Sequence, residues 1–201
     1  MYDTDTLIKK ALIIFLKKGI KSVNMDDIAN SLGISKKTLY LHVDNKSDLV
    51  NKSFALHVSH VLNVLEQLIV EGRNSIDELF LIDQKIATIM KQTNPYVLGE
   101  LRRFYPEAWQ VFEEFKHKGL FSILKNNLRK GIAQGLFRPE LNIDIISKLM
   151  LSRADVLIND EVFPLTTYNF QTLLMENKIY HIRGIATFKG INYLEQKINE
   201  S

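Results

Sequence analysis

Apolar residues recur at every third or fourth position along almost the whole of this 201-residue chain. This spacing puts them on one face of an α-helix, whereas a half-buried strand would show strict alternation. Only four prolines and nine glycines interrupt the pattern, and no period of about 20–50 residues indicates a repeat array. The sequence therefore predicts an all-α fold of about nine helices or more.

The composition narrows the classes of function. Hydrophobic residues make up 46% of the chain, but the net charge is only +3, so a surface for nucleic acid must be local. The absence of cysteine excludes disulfides, thiol catalysis and cysteine-based zinc sites, and it fits a reducing compartment. No apolar run approaches the roughly 18 residues of a membrane span, and the acidic N-terminus is unlike a signal peptide. We therefore expect a cytoplasmic protein that does not contact a membrane.

Residues 24–46 read as a helix, a tight turn, a second helix and the start of a third. Asn24 caps the first of these helices and Ser35 the second, because a short polar side chain accepts the unpaired N–H groups of a first turn. Gly33 between them allows a sharp turn. Together with a preceding helix over residues 5–18, which Gly19 ends in a left-handed cap, this pattern predicts a three-helix, helix-turn-helix domain at the N-terminus.

Three lysines stand at the starts of the second and third helices of this stretch, namely Lys36, Lys37 and Lys46. The N-terminus of a helix carries a partial positive charge, so an acid such as Asp26 in the first helix suits it better. Cations at these positions predict a site for anions, and phosphate is the obvious candidate. The alternative is that they are ordinary solvated lysines.

The second helix, expected to reach Val43, separates into two faces at 100° per residue. Leu39 and Val43 share one side, which predicts the buried face. Six side chains lie on the opposite face or its flanks: Lys36, Lys37, Thr38, Tyr40, Leu41 and His42. A cation, a hydroxyl and an aliphatic group can read a major groove through guanine acceptors, phosphates and thymine methyl groups. Tyr40 as a packing residue and His42 as a polar flank are the alternatives.

Four motifs run through residues 7–50: Ala11-x3-Phe15-x3-Gly19, Met25-x2-Ile28-Ala29-x2-Leu32-Gly33-Ile34-Ser35, Thr38-Leu39-Tyr40-x2-Val43 and Asn45-Lys46-x2-Leu49. With these motifs, about a quarter of the chain resembles the DNA-binding domain of the tetracycline-repressor family of bacterial transcriptional regulators. Asn24 stands where that family usually has Thr, and Val43 where it often has Phe. Asn caps equally well and Val still packs, so the resemblance holds.

The resemblance implies that the cap at Asn24, with Thr38, Tyr40 and Lys46, holds phosphates, and that Lys36, Lys37, Leu41 and His42 decide sequence preference. With the Ser35 cap, the predicted DNA-binding residues are Asn24, Ser35, Lys36, Lys37, Thr38, Tyr40, Leu41, His42 and Lys46. It also implies a homodimeric repressor of a palindromic double-stranded operator, with residues 1–52 as the DNA-binding domain. Residues 53–201 would then bind an unknown small-molecule effector, form the dimer, and release the DNA.

The remaining helices follow from the apolar periodicity and from the glycines and prolines that end it. We expect a long helix that Gly72 stops, a helix over 75–92, a short one over 95–104 broken at Gly99, and a segment over 106–134 with a kink at Gly119. Further helices are expected over 143–158 and 169–183, followed by a short one capped by Thr187.

Two sets of residues in this region are candidate binding residues. The aromatic cluster Tyr96, Tyr105, Trp109, Phe112 and Phe115 either lines an effector pocket or belongs to the core. Arg153 stands in a helix that is apolar nearly all round, so its charge needs a partner. That partner is either a carboxylate in a dimer interface or an acidic effector. By the family resemblance the last two long helices form the interface, with Ile146, Met150, Arg153, Leu157, Leu174, Asn177, Lys178 and His181 as its predicted residues.

The sequence shows no glycine-rich phosphate loop, nucleophile elbow or metal-binding signature. His57 and His60 stand three residues apart without a patterned third ligand, so they are expected to be structural or surface residues. We therefore predict no catalytic residue, no metal and no cofactor. The alternatives are a regulator of the same fold that responds to a protein partner or to no effector, and, more remotely, a helical enzyme.

Overall fold

A computed structural model describes residues 3–71, 74–159, 161–164 and 166–199. The first helices are α1 (Thr4–Lys18), α2 (Met25–Leu32), α3 (Lys36–Leu39) and α4 (Lys46–Glu71). They are followed by α5 (Ser75–Lys91), α6 (Val97–Phe104), α7 (Pro106–Glu114), a π-helical segment (Phe115–Leu120), α8 (Phe121–Ala133), α9 (Ile143–Leu157), α10 (Phe170–Ile185) and α11 (Phe188–Asn199). The described residues form no β-strand beyond one isolated bridge, so the predicted all-α class is confirmed.

Three local predictions need correction. The helix expected to break at Gly99 is continuous, because an internal glycine costs only about 1 kcal/mol and Val97 and Leu101 beside it are fully buried. Gly19 follows α1 with φ 86° and ψ 153°, which is a positive φ but not the left-handed helical cap. The kink expected at Gly119 takes the form of a π-helical turn, a feature common at functional sites. The predicted stop at Gly72 lies outside the described residues.

The chain divides into two compact units. The first takes the described residues up to Leu62 together with Thr88–Phe115, and the second takes Asn63–Ala87 together with those from Lys116 onward. From the sequence we expect residues 1–52 to bind DNA and residues 53–201 to bind the effector and form the dimer. This division by role stays a prediction. Among the described helices, none is both long and apolar enough to cross a lipid bilayer.

The core of the first unit forms where the predicted inner faces of α1, α2 and α3 meet. Phe15, Ile28 and Leu39 are fully buried there. Val97 and Leu101 of α6 belong to the same core, although they lie far along the chain. Burying each such side chain contributes about 1.5–3 kcal/mol, so α6 is an integral part of this unit.

The core of the second unit brings α5, α8, α10 and α11 together around Ile76, Leu128, Phe137, Ile182 and Leu194. Its tightest approach is at Gly131 of α8. A Cβ atom there would lie 2.0 Å from Cδ2 of Phe137, whose ring is fully buried. The glycine is therefore required by packing.

Candidate nucleic-acid interface

The α2 helix is held at its start by a complete capping box. The Asn24 side-chain oxygen accepts the backbone N–H of Asp27 at 2.9 Å, and the Asp27 carboxylate accepts the backbone N–H of Asn24 at 2.9 Å. Gly33 then takes the left-handed conformation, with φ 67° and ψ 31°, and turns the chain toward α3. The cap uses the amide oxygen of Asn24, so its NH2 group is the part of the side chain that can donate to another acceptor.

The sequence predicts that α3 reaches about Val43, but in the structure the helix ends at Leu39. After it, the N–H of Leu41 bonds to the carbonyl of Thr38 and that of His42 to the carbonyl of Leu39. These are i to i−3 bonds, so the chain tightens into a 3₁₀-like turn. Leu39 and Val43 are nevertheless both buried, which confirms the predicted inner face.

The outer side of α3 and its turn carries exposed side chains of the predicted kinds. Lys36 and Lys37 are exposed and Thr38 is half-buried. The hydroxyl and the backbone N–H of Thr38 both bond to the Ser35 hydroxyl, at 2.8 and 3.0 Å. Tyr40 is 44% exposed and Leu41 is 70% exposed. Leu41 is thus an exposed aliphatic side chain on the same outer side as the two lysines, next to an aromatic residue.

Lys36 already has an acidic neighbour in this structure. Its Nζ atom lies 3.0 Å from Oδ2 of Asp26, and the carboxylate raises the pKa of the lysine by hydrogen bonding and by its charge. Lys37 forms no ion pair with any described residue. Sequence reasoning assigns Asp26 only to the helix dipole. Its role beside Lys36 depends on the turn that brings α2 and α3 together.

His42 is held by the N-terminal helix. The Thr4 hydroxyl and Nδ1 of His42 are 2.8 Å apart, and Asp3 caps α1 through the N–H of Thr6. This contact leaves Nε2 as the ring atom that can reach a base or a phosphate. The sequence does not indicate the contact between Thr4 and His42, because the two residues are 38 positions apart.

Lys46 opens α4 as predicted, and Asn45 caps that helix by accepting the N–H of Asp48 at 2.9 Å. Lys46 is half-buried, and burial lowers the pKa of its amine while the charges of Glu100 and Asp27 oppose that shift. The lysine therefore stands at a helix start, where the first N–H groups of α4 have no partner within the helix. All nine predicted DNA-binding residues therefore lie in the first unit, and their contacts with DNA stay predictions.

Sequence reasoning missed Glu100, which ties α6 to the end of α1. Its carboxylate accepts the backbone N–H groups of Ile20 and Lys21 at 2.6 and 3.0 Å. The backbone N–H of Asn94 also donates to the carbonyl of Leu16 at 2.6 Å. These bonds join residues about eighty positions apart, so no local pattern could reveal them.

The structure places the predicted aromatic cluster in the first unit and Arg153 in the second. Tyr105 and Trp109 pack against the core of the first unit, which favours the core alternative for these two. Ring centroids are 5.2 Å apart between Trp109 and Phe112, and 6.3 Å between Phe112 and Phe115. Tyr96 is largely exposed. A role of the cluster in effector binding stays a prediction.

The predicted interface residues mostly point inward. Four of them, Leu157, Leu174, Lys178 and His181, are buried within the second unit, and Ile146 and Met150 pack against its core. Arg153 and Asn177 are half-buried. The outward stripe of α9 consists of Ile145, Leu149 and Val156, each about half exposed. Because α9 is apolar nearly all round, its sequence does not indicate which side packs against its own subunit.

Comparison with known proteins supports a role in transcription. Residues 7–52 match the family described as bacterial regulatory proteins, tetR family. The HTH-type transcriptional repressor KstR2 of Mycolicibacterium smegmatis is 23% identical over 149 residues, which are 73% of each chain. The negative transcriptional regulator IcaR of the Staphylococcus aureus biofilm operon icaADBC is 32% identical over 76 residues, so the chain spans only 41% of that protein's length.

Solved structures share the fold. FadR of Bacillus subtilis, solved in complex with stearoyl-CoA, has a TM-score of 0.68 at 20% identity, and the match covers 91% of this chain and 100% of FadR. A TetR-family regulator from Cytophaga hutchinsonii has a TM-score of 0.75 at 18% identity, covering 92% and 94%. These relatives are regulators and not enzymes. The helix-turn-helix head, its motifs and the family match identify residues 7–52 as a DNA-binding domain of the tetR family, and the relatives support a role of the chain in the regulation of transcription.

Proposed function

We propose that this protein is a homodimeric repressor that inserts α3 into the major groove of a palindromic operator and leaves it when a small molecule binds the second unit. The observation that carries the proposal is the 70% exposure of Leu41 beside Lys37 on a rigidly capped helix-turn-helix. Two symmetric heads predict half-sites about 34–36 Å apart or a multiple of that spacing. The proposed location is the cytoplasm, because bacterial operators lie there.

The dimer is proposed to form through the outward stripe of α9. An exposed apolar patch on a soluble protein marks an interaction surface, and a two-fold interface uses the same patch on both subunits. Ile145, Leu149 and Val156 recur along one side of the helix, which suits helix packing against a second copy. We propose these outward residues for the dimer interface in place of the residues predicted from the sequence, most of which are buried within the second unit.

We base the proposal of effector release on two structural relatives and on the hydrogen bonds of Glu100 within the first unit. Stearoyl-CoA is bound by the FadR structure, and the structural relative KstR2 of Mycobacterium tuberculosis is named a ketosteroid regulator, so acyl-CoA and steroid compounds are the first ligands to screen. A ligand releases DNA only if it binds one conformation better than another. The Glu100 bonds connect α6 to the turn before α2, which is a route to the helix-turn-helix.

The direct test uses the full chain and its own upstream DNA. Fluorescence anisotropy should show binding to one palindrome at a ratio of two chains per operator, and a bound effector should raise the melting temperature of the protein while releasing the DNA. Binding of one chain per site, or equal binding to all sequences, would refute the proposal. A ligand that stabilises the protein without releasing DNA would refute the effector part alone.

Leu41→Ala is expected to change which bases are preferred, costing about 1–2 kcal/mol at one base pair, because the side chain is assigned to a thymine methyl group. A binding-site selection experiment compares the sequence profiles of the variant and the wild type. Ile13→Ala is the matched control, since Ile13 is an exposed aliphatic residue of α1 in the same unit. An unchanged profile for Leu41→Ala would contradict the assignment.

Lys46→Ala is expected to weaken binding to all DNA sequences alike, because a phosphate contact carries no base information. The slope of log K against log salt should fall by about one unit. Anisotropy titrations at several salt concentrations, with operator and unrelated duplex, measure both effects. Lys52→Ala on the same helix is the control, since Lys52 is paired with Asp48 at 2.8 Å. A loss confined to the operator would show that Lys46 reads bases.

A further inference from the structure

Helices α9 and α10 bring Arg153 and His181 together in the second unit, where Nη2 of Arg153 contacts Nδ1 of His181. A guanidinium keeps its proton in proteins and can only donate, so Nδ1 of the imidazole must accept. An imidazole that accepts at Nδ1 is neutral and carries its proton on Nε2. Burial and the charge of Arg153 lower the pKa of His181 to about 3, in agreement with that neutral form.

This pair leaves two N–H donors without acceptors. Nε2 of His181 and Nε of Arg153 are both buried, and neither has a hydrogen-bond partner in the structure as described. His181 as a whole is only 7% exposed. A buried donor without an acceptor loses its hydrogen bond to water and gains none in return, so this arrangement is unfavourable unless another molecule supplies acceptor atoms.

The guanidinium of Arg153 lies over an aromatic ring and not beside a carboxylate of the described residues: its Cζ atom is 6.0 Å from the centroid of the Tyr180 ring. The buried Lys116 has its Nζ 2.9 Å from Oδ1 of Asp155, and the buried Lys178 has its Nζ 3.5 Å from Oδ2 of Asp83. Arg153 faces the neutral ring of His181 instead, and within the described ranges no carboxylate forms an ion pair with it. Arg153 is half-buried, and an acceptor with negative charge matches its guanidinium better than a neutral acceptor does.

We propose that Arg153 and His181 bind the carboxylate of a small aliphatic acid. A carboxylate offers two acceptor oxygens, and its single charge matches one guanidinium. Met150 and Leu157 lie about one turn before and after Arg153 on α9, and Ile185 lies one turn after His181 on α10. These aliphatic neighbours suit a hydrocarbon chain attached to the acid. The inference rests on the proposed function, because it names the chemical class of the effector.

The two unpaired donors have essentially no exposed surface. The acid therefore binds a state in which α9 and α10 separate locally, and the state seen here binds it poorly. That difference in affinity between two states is what an effector needs in order to shift a conformational equilibrium. The two unsatisfied donors make the closed state less stable and so reduce the free energy needed to open it.

The test measures binding of straight-chain alkanoates of four to twelve carbons to the full chain by calorimetry and thermal shift. Primary alcohols of equal length are the neutral controls. The acids are expected to bind and the alcohols to bind at least about tenfold more weakly, since a charged hydrogen-bonding pair is lost. Arg153→Gln should weaken acid binding by about tenfold to a hundredfold. Arg183→Gln is the matched control, because Arg183 is an exposed residue of α10 bonded to Glu195 at 2.7 Å.

A second measurement does not depend on the stability of the Arg153 variant. Nitrogen NMR of ¹⁵N-histidine protein, with the His181 signals assigned through their loss in His181→Gln, should show the Nε2–H tautomer and a shift of Nε2 when the acid is added. An imidazolium at neutral pH would overturn the proposal. Equal acid binding by wild type and Arg153→Gln would overturn it as well.

The remaining outcomes separate this site from the proposed function. If Arg153→Gln lowers the mass of the protein in sedimentation, the missing acceptor is an acidic side chain of a second copy and the proposal is overturned. If no alkanoate binds while a non-acidic compound releases the operator, the site fails and the proposed function stands. If alkanoates bind through Arg153 but never change operator affinity, the site stands and effector release by acids fails.

Discussion

Leu149→Glu is expected to turn the proposed dimer into a monomer and to weaken binding to the proposed operator by about a hundredfold or more. Leu149 is 53% exposed in the middle of the α9 stripe, with Ile145 and Val156 on the same side. On a two-fold axis one substitution places two like charges in the same apolar contact, where each is stripped of water. A monomer then reaches one half-site at a time and loses the advantage of linked binding, which is about 10²–10⁴-fold.

Sedimentation velocity gives the mass of the Leu149→Glu variant, and anisotropy gives its operator affinity. Ile13→Glu is the control, because it adds the same charge at an equally exposed aliphatic position of the first unit. Retention of the dimer mass by Leu149→Glu would place the interface elsewhere on the molecule. Loss of operator affinity with the dimer mass unchanged would mean that α9 affects DNA binding by another route.

Gly131→Ala is expected to destabilise the second unit by about 3 kcal/mol, because overpacking a filled core forces side chains and backbone to move. The added Cβ would lie 2.0 and 2.3 Å from two ring carbons of Phe137 and 2.7 Å from the Ser75 hydroxyl. The ring has no room to withdraw, since it is completely buried. Urea unfolding followed by circular dichroism, at fixed protein concentration, measures the change.

Gly99→Ala is the matched comparison for Gly131→Ala. Gly99 is also inside a helix, but nothing lies within 4 Å of its added Cβ. The change should therefore stabilise the protein by about 0.5–1 kcal/mol through helix propensity alone. If both variants shifted the urea midpoint by the same amount and in the same direction, the close approach of Phe137 to Gly131 would be refuted.

The helix-turn-helix head was predictable because its determinants are local. Capping residues act on N–H groups three positions away, as Asn24 and Ser35 do, and the 3.6-residue period identifies Leu39 and Val43 as buried. The length of α3 was not predictable in the same way. Helices often end in a turn with i to i−3 bonds, and where that turn begins depends on the surroundings of the helix and not on the local pattern alone.

The sequence by itself determined the helical class, the helix starts and the resemblance of residues 7–50 to the tetracycline-repressor family, since periodicity, caps and motifs are properties of neighbouring residues. Tertiary structure alone decided which side of α9 faces outward, that Asp26 stands beside Lys36, and that Glu100 holds the turn after α1. It also decided that Arg153 contacts His181, which lies 28 residues further along the chain. The physical reason is that charge and hydrogen-bond pairing act over a few ångströms in space, and folding alone brings distant parts of the chain that close.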